Sequence, residues 1–268
     1  MSEIDRVFIN RGVANLASGE HYAELNNGSD NDVYFVNEVN SESKLHVNQI
    51  DGYNCVMFNV KKGSHFILTC QLAYIVYKPI NIKVYVHSNA SFEAYFAELT
   101  NCNVNVNLDV YLLEENAEAS IKFASISFDD YNKKINVNVE HMVPKTYGKV
   151  DCYGICKDES KLLFAGTSHI VNGAIKSKTQ QNARIMVFDE ASDGVAKPIL
   201  KIDENDIEAS HAAVVGRIND EHLFYLTSRG ISEAEAKHLI TMGYFKPIIS
   251  GFNDAYKEFI SSLIERRM

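Results

Sequence analysis

The sequence predicts a mainly β protein that ends in a short helical segment. Three observations carry this. Apolar and polar residues alternate along many runs between about residues 53 and 215. Only 4 Pro and no Trp occur among 268 residues, against 14 Tyr and 14 Phe, a balance that favours sheet. The chain also holds 25 Asn, a residue suited to turns and to positive φ.

The first fifty residues are polar and weakly periodic, so residues 1–50 read as an N-terminal segment ahead of the strands. "AELNNGSDND" (23–32) is a turn cluster. In the β body, residues 51–218, Ile80, Ile82, Val84 and Val86 alternate with Asn81, Lys83 and Tyr85. Cys102, Val104, Val106, Leu108 and Val110 alternate with Asn103, Asn105, Asn107 and Asp109, and Ile135, Val137 and Val139 with Asn136 and Asn138. Each run buries one face and leaves the other polar. Tight-hairpin pairs stand at Asn27-Gly28, Asp51-Gly52, Asn172-Gly173 and Asp193-Gly194. None falls between residues 80 and 147, where alternation is strongest. Runs there recur at irregular intervals, as coils of a parallel β-helix would. Alternation alone leaves a sandwich and a β-helix equally open.

Residues 219–268 change period. Asn219-Asp220-Glu221 opens a short helix carrying Leu223, Phe224 and Leu226. Ser232 with Glu235 fits a capping box, and Gly243 is read as the stop of that helix. From Asn253, Tyr256, Phe259, Ile260, Leu263 and Ile264 form one apolar stripe, closed by Arg266 and Arg267 in the last turn. This end is too small to bury a core of its own and must dock on the β body or on a partner.

Composition excludes several classes. Net charge is −9, from 26 Lys+Arg against 35 Asp+Glu, with no basic run, which argues against nucleic acid. The N-terminus lacks a signal-peptide pattern, and no apolar run is long enough for a membrane span. Five Cys, an odd number, suit free thiols in a reducing, cytoplasmic setting. No P-loop, dinucleotide fingerprint, metalloprotease helix or nucleophile elbow is present. The chain is therefore not expected to be an enzyme. Cys152 and Cys156 form C-x-x-x-C without further ligands nearby and read as two small buried hydrophobes. His169 and His211 each follow a Ser in a β-like segment. The Glu-rich stretch 111–120 reads as a solvated turn.

The segment from Lys197 to Phe245, "KPILKIDENDIEASHAAVVGRINDEHLFYLTSRGISEAEAKHLITMGYF", narrows the reading. It resembles the C-terminal core of the SufB/SufD family, scaffold subunits of the SUF iron–sulfur cluster assembly machinery. Residues 150–196 match more loosely. The resemblance implies a right-handed parallel β-helix with a small C-terminal helical region. It implies that residues 219–268 dock a SufC-like ATPase, and that the β-helix pairs with a SufB-like or identical subunit. An iron–sulfur cluster would be held only transiently in that complex, with none bound stably by this chain alone.

SufB-like members carry Glu directly after the motif His and a Cys in the preceding coil. Here Ala212 follows His211, and Met186 to Ala196 contains no Cys, so the chain looks SufD-like. His211 matches the family's interface His and is the candidate metal or cluster ligand. Ala209 stands where many SufD-like chains have Cys. Phe224, Tyr225, Arg229 and Gly230 match "FYLxSRG" and are the candidate partner-binding residues. One alternative is a homodimeric scaffold of a minimal SUF system. Another, of a different class, is a β-helix protein or enzyme acting on carbohydrate through its Asn- and Tyr-rich faces.

Overall fold

The computed structural model describes residue 7, residues 12–25 and residues 30–268. Sixteen strands occur among them. The chain runs through β1 (Val13–Leu16), β2 (Gly19–Leu25), β3 (Asp32–Asn37), β4 (Glu42–Ile50), β5 (Cys55–Val60), β6 (His65–Leu72), β7 (Ile80–Val86) and β8 (Ser91–Glu98). It continues through β9 (Val104–Leu112), β10 (Glu118–Ser127), β11 (Asn132–His141), β12 (Tyr147–Cys156), β13 (Lys161–Ile170), β14 (Lys178–Val187), β15 (Asp193–Ile202) and β16 (Glu208–Arg217). Three helices follow: α1 (Asp220–Thr227), α2 (Glu233–Ile249) and α3 (Asp254–Arg267).

Odd-numbered strands stack in order into one eight-stranded sheet and even-numbered strands into another. The register given for each neighbouring pair is parallel. The fold is therefore a two-sheet parallel β-helix, and the sandwich alternative is gone. The coils lengthen along the chain, from Val13 paired with Tyr34 to Lys161 paired with Asp193. Asp51-Gly52 and Asn172-Gly173 sit at corners with Gly φ of 78° and 88°, and Asp193-Gly194 opens β15. None closes an antiparallel hairpin. Asn27-Gly28 lies outside the described residues.

The corners use some of the Asn residues, and others form side-chain ladders on the strands, as where Asn107 Nδ2 donates to Asn81 Oδ1 at 2.9 Å. Asn40, Asn89 and Asn116 adopt φ of 53°, 52° and 59° at successive corners, with Gly63 at 70° between the first two. Asn and Gly tolerate this left-handed conformation best. The corners also bond to one another: the Asn40 N–H donates to Lys62 O at 3.0 Å, and Asn116 Nδ2 to Asn89 Oδ1 at 3.0 Å.

Between the sheets, equivalent positions stack coil on coil. Phe35 stacks on Phe58 at 5.2 Å, Phe66 on Phe92 at 6.0 Å and Phe96 on Phe123 at 5.1 Å. Such pairs add about 0.5–1.5 kcal/mol each beyond their area burial. β1 to β4 belong to this same core, since Leu16, Leu25, Val33, Phe35, Leu45 and Val47 are buried in it. The stretch read as an N-terminal segment of residues 1–50 thus already carries four strands of the solenoid.

The helical end docks on the outer face of the even-numbered sheet. Phe245, Ile248, Ile249, Phe252, Ile260, Leu263 and Ile264 pack on Ala97, Leu99, Ala124, Ile126 and Ile155. Alternation breaks at the ends of β8, β10 and β12 for that reason: both faces are covered there. The Asn219, Ser232 and Asn253 side chains cap the three helices by accepting backbone N–H bonds. Gly243 does not stop α2. Nothing lies within 4 Å of where its Cβ would be, and the helix continues to Ile249. An exposed helical Gly costs about 1 kcal/mol, which burying Phe245, Ile248 and Ile249 beyond it outweighs.

Candidate functional site

β15 and β16 are the last strands of their sheets, and no further coil covers them. Ile199, Ile202, Val214 and Val215 are consequently exposed, by 52%, 36%, 56% and 46%. Pro198 lies in β15, where an edge position tolerates its missing donor. The β16 edge from Ala209 to Gly216 carries neither Pro nor a charged carboxylate, Lys or Arg. It offers free backbone donors and acceptors to another strand.

His211 stands on this edge, in register with Gln181 of β14. Gln181 is buried between the sheets, where its Nε2 donates to Ser168 Oγ at 2.6 Å. His211 therefore continues an inward-facing row, and it is exposed only because the solenoid stops. No group of three or more His, Cys, Asp or Glu that could hold a metal ion occurs among the described residues. His211 brings one imidazole, so any metal bound there needs ligands from elsewhere.

The solenoid's thiols do not gather at this end. Cys70, Cys152 and Cys156 are buried in the core. Burial, helped by the nearby Asp151 carboxylate, pushes the Cys152 thiol up to about 12, and burial also raises Cys70 and Cys156. Such groups are held as thiols and are poor ligands. Cys152 and Cys156 sit four residues apart on one strand, about 13 Å along it, too far to share a metal.

Directly after the last coil comes α1. Its Phe224 and Tyr225 are exposed by 73% and 53%. The Arg229 guanidinium lies over the Tyr225 ring, 4.3 Å from its centre. Gly230 supplies φ of 89°, and its N–H donates to Thr227 O at 3.0 Å. The aromatic pair therefore faces solvent instead of packing the helical end onto the last coil. Tyr225 and Arg229 are in contact, and Phe224 and Gly230 lie beside them in the chain, all directly after the strand that carries His211.

A family model, SUF system FeS cluster assembly, SufBD core domain, matches residues 22–244. The chain belongs to the SufBD core domain family. The matched span includes His211, Phe224, Tyr225, Arg229 and Gly230. It begins inside β2, in keeping with the early start of the solenoid. The chain is 34% identical to the iron–sulfur cluster assembly protein SufD of Bacillus subtilis over 140 residues, 52% of this chain and 32% of that protein. It is 25% identical over 193 residues to an iron–sulfur cluster assembly SufBD family protein of Staphylococcus epidermidis, covering 72% of this chain and 42% of the relative. A SufBD family protein of Mycobacterium bovis is 24% identical over 159 residues, 59% of this chain and 19% of its own. The chain thus spans well under half the length of these relatives.

One constellation escaped the sequence reading. His169 Nδ1 lies 2.7 Å from Glu140 Oε2, and its Nε2 lies 2.8 Å from Asp203 Oδ2. The His169 hydrogen bond holds the Asp203 carboxyl below its usual range. These partners come from neighbouring coils, 29 and 34 residues away, so only the register reveals them. No helix among the described residues is long and apolar enough to cross a membrane.

Proposed function

We propose that this SufBD-family chain is a non-catalytic scaffold subunit of a SUF-type iron–sulfur cluster assembly complex. The observation that carries the reading is the uncovered last coil. Edge strand β16 offers unpaired backbone groups, four apolar side chains are exposed at the same end, and His211 stands among them. An apolar surface with a free strand edge favours pairing with another β-helix end. The partner would be a SufB-like subunit or a second copy of this chain. The nascent cluster is the cargo of that interface. Iron takes thiolate ligands with occasional imidazole, so His211 would complement Cys supplied in trans. The α1 surface of Phe224, Tyr225 and Arg229 would dock a SufC-like ATPase, which provides the nucleotide-driven motion.

Co-expression with the ATPase and a SufB-like subunit tests this reading. The expected result is a stable complex, in which His211→Ala lowers the cluster absorbance formed on anaerobic reconstitution while the subunit stays folded. Absence of any complex at micromolar concentration would overturn the scaffold role. Unchanged cluster yield would remove His211 from the site. A homodimeric assembly would show instead as self-association of the chain alone that β16 variants abolish.

A further inference from the structure

The outer face of the odd-numbered sheet carries the Asn- and Tyr-rich pattern that the scaffold role leaves unused. Along most of it the amides satisfy one another. Asn107 Nδ2 donates to Asn81 Oδ1 at 2.9 Å, and Asn136 Nδ2 to Asn107 Oδ1 at 3.0 Å. Tyr85 and Tyr111 stack at 5.3 Å. This central part is saturated and has little left to offer a ligand.

Its margin differs. Where β9 and β11 begin, the loop between β6 and β7 borders a shallow, open cavity of about 350 Å³. That volume lies at the lower end of the ligand-pocket range of roughly 300–1,000 Å³. Tyr77, Lys78, Asn103, Asn105, Asn132 and Lys134 line it, and no carboxylate does. Two carboxylates adjoin the lining without forming part of it, Asp30 against Lys78 and Asp51 against the Tyr77 N–H. Lys134 has no ion-pair partner among the described residues, whereas Lys78 pairs with Asp30 beyond the lining. Asn105 Oδ1 is buried without a hydrogen-bond partner. Asn103 Oδ1 accepts the Asn132 backbone N–H at 2.7 Å, which leaves both side-chain NH₂ groups available.

The bordering loop is also held in place. The Ala73 and Tyr74 N–H groups donate to Gln49 Oε1 at 3.2 and 3.4 Å. The Tyr77 N–H donates to Asp51 Oδ1 at 3.1 Å, and the Val76 N–H points to Cys102 Sγ at 3.3 Å. Tyr77 is nevertheless 80% exposed. A fixed loop presenting a solvated ring beside unpaired amides and an unpaired ammonium is pre-organised for binding.

We propose that this cavity binds a small hydroxylated anion of the sugar-phosphate class. Lys134 takes the phosphate by a charge-assisted hydrogen bond. The Asn103 and Asn132 NH₂ groups suit hydroxyl oxygens as donors, and Asn105 Oδ1 is an unused acceptor in the cavity wall. The Tyr77 ring covers the apolar face of the sugar. The site lies on the solenoid's flank and involves neither His211 nor the α1 surface.

Ligand-observed NMR and thermal shift on the full chain test it, with glucose 6-phosphate, glucose and inorganic phosphate as separate probes. Glucose 6-phosphate is expected to bind saturably in the millimolar range. Lys134→Gln, at an exposed position that leaves the fold intact, is expected to weaken binding about tenfold. Asn105→Ala weakens it several-fold, and Asn107→Ala does not. No saturable binding up to ~10 mM would overturn the proposal. Binding that Lys134→Gln leaves unchanged would do the same. Equal affinity for inorganic phosphate alone or for glucose alone would also overturn it, since the cavity would then not read both halves of the ligand.

Discussion

The Lys133 ammonium lies 2.9 Å from Glu98 Oε1 between the two sheets, and both side chains are wholly buried. Glu98 is fully satisfied: Oε1 also accepts from the Thr100 N–H at 2.9 Å and Oγ1 at 2.5 Å, and Oε2 from Ser125 Oγ at 2.6 Å. Lys133 donates a second bond to Thr100 O at 2.7 Å. Burial pulls the Lys133 pKa down, and the Glu98 carboxylate opposes that shift. Removing one partner leaves an uncompensated buried charge. Lys133→Met is expected to destabilise by about 3–5 kcal/mol in urea denaturation. Adding Glu98→Gln to it should recover a large part of that loss. If the two substitutions simply add, the pair is not coupled.

Stability should fall on mild acidification, through His141. Burial, with the charge of nearby His169 as a smaller cause, lowers its pKa to about 4. Its Nδ1 lies 2.8 Å from Thr146 Oγ1, and its Nε2 has no partner. The unfolded imidazole titrates near ~6.5, so between that pH and about 4 the unfolded state binds the extra proton. Its contribution is therefore whole above pH ~6.5 and is lost as pH falls toward the folded value, about 3 kcal/mol in all. Burial depresses His46 in the same sense. Urea midpoints across this window should slope upward with pH, and His141→Leu should flatten the slope by about one proton. An unchanged slope would show that His141 is not the group responsible.

Gly166 marks a point where two coils come unusually close. A Cβ there would sit 2.0 Å from Val137 O. The ladder between β11 and β13 skips at this point, from Asn136–Ala165 to Val139–Ser168, and the Thr167 N–H turns to Asn138 Oδ1 at 2.9 Å. The obstruction is backbone, which cannot rotate away. Gly166→Ala is expected to cost about 1–3 kcal/mol. Gly216→Ala, with nothing within 4 Å of the new Cβ, should stay within ~0.5 kcal/mol. Equal effects at the two positions in urea denaturation would contradict the close approach.

What the sequence disclosed follows the range of each interaction. The run from Val104 to Leu112 reads as a strand because alternation is local, and it buries every second residue. Helix starts at Asn219, Ser232 and Asn253 were legible because a cap spans only three residues. β1 to β4 were obscured by polar residues that alternation alone could not assign to a face, such as His46 and Asn37, which the core accommodates with hydrogen bonds. Buried Lys133 and the His169 clamp depend on register across coils, which periodicity does not fix. The choice of β-helix over sandwich came from resemblance at the C-terminal end, since both folds bury alternate residues in the same way. His211 is a candidate by resemblance too, and nothing in its local spacing marks it.

The α1 surface should separate binding from folding. Phe224 is 73% exposed, and Arg229 rests on Tyr225, so neither Phe224 nor Arg229 is part of the packed core. Phe224→Ala and Arg229→Ala should each leave the urea midpoint within ~0.5 kcal/mol of wild type. An exposed aromatic and an Arg at the centre of an interface are typical anchors, and truncating one costs about 2 kcal/mol or more of binding. With α1 as the proposed docking site, each substitution is expected to weaken binding of a SufC-like ATPase some thirtyfold, ~2 kcal/mol, in titration of the purified subunits. His211→Ala should leave that affinity unchanged, because His211 lies on β16 and not on α1. If Phe224→Ala lowers stability as much as it lowers ATPase binding, the exposed pair is structural and the proposed α1 docking site is overturned.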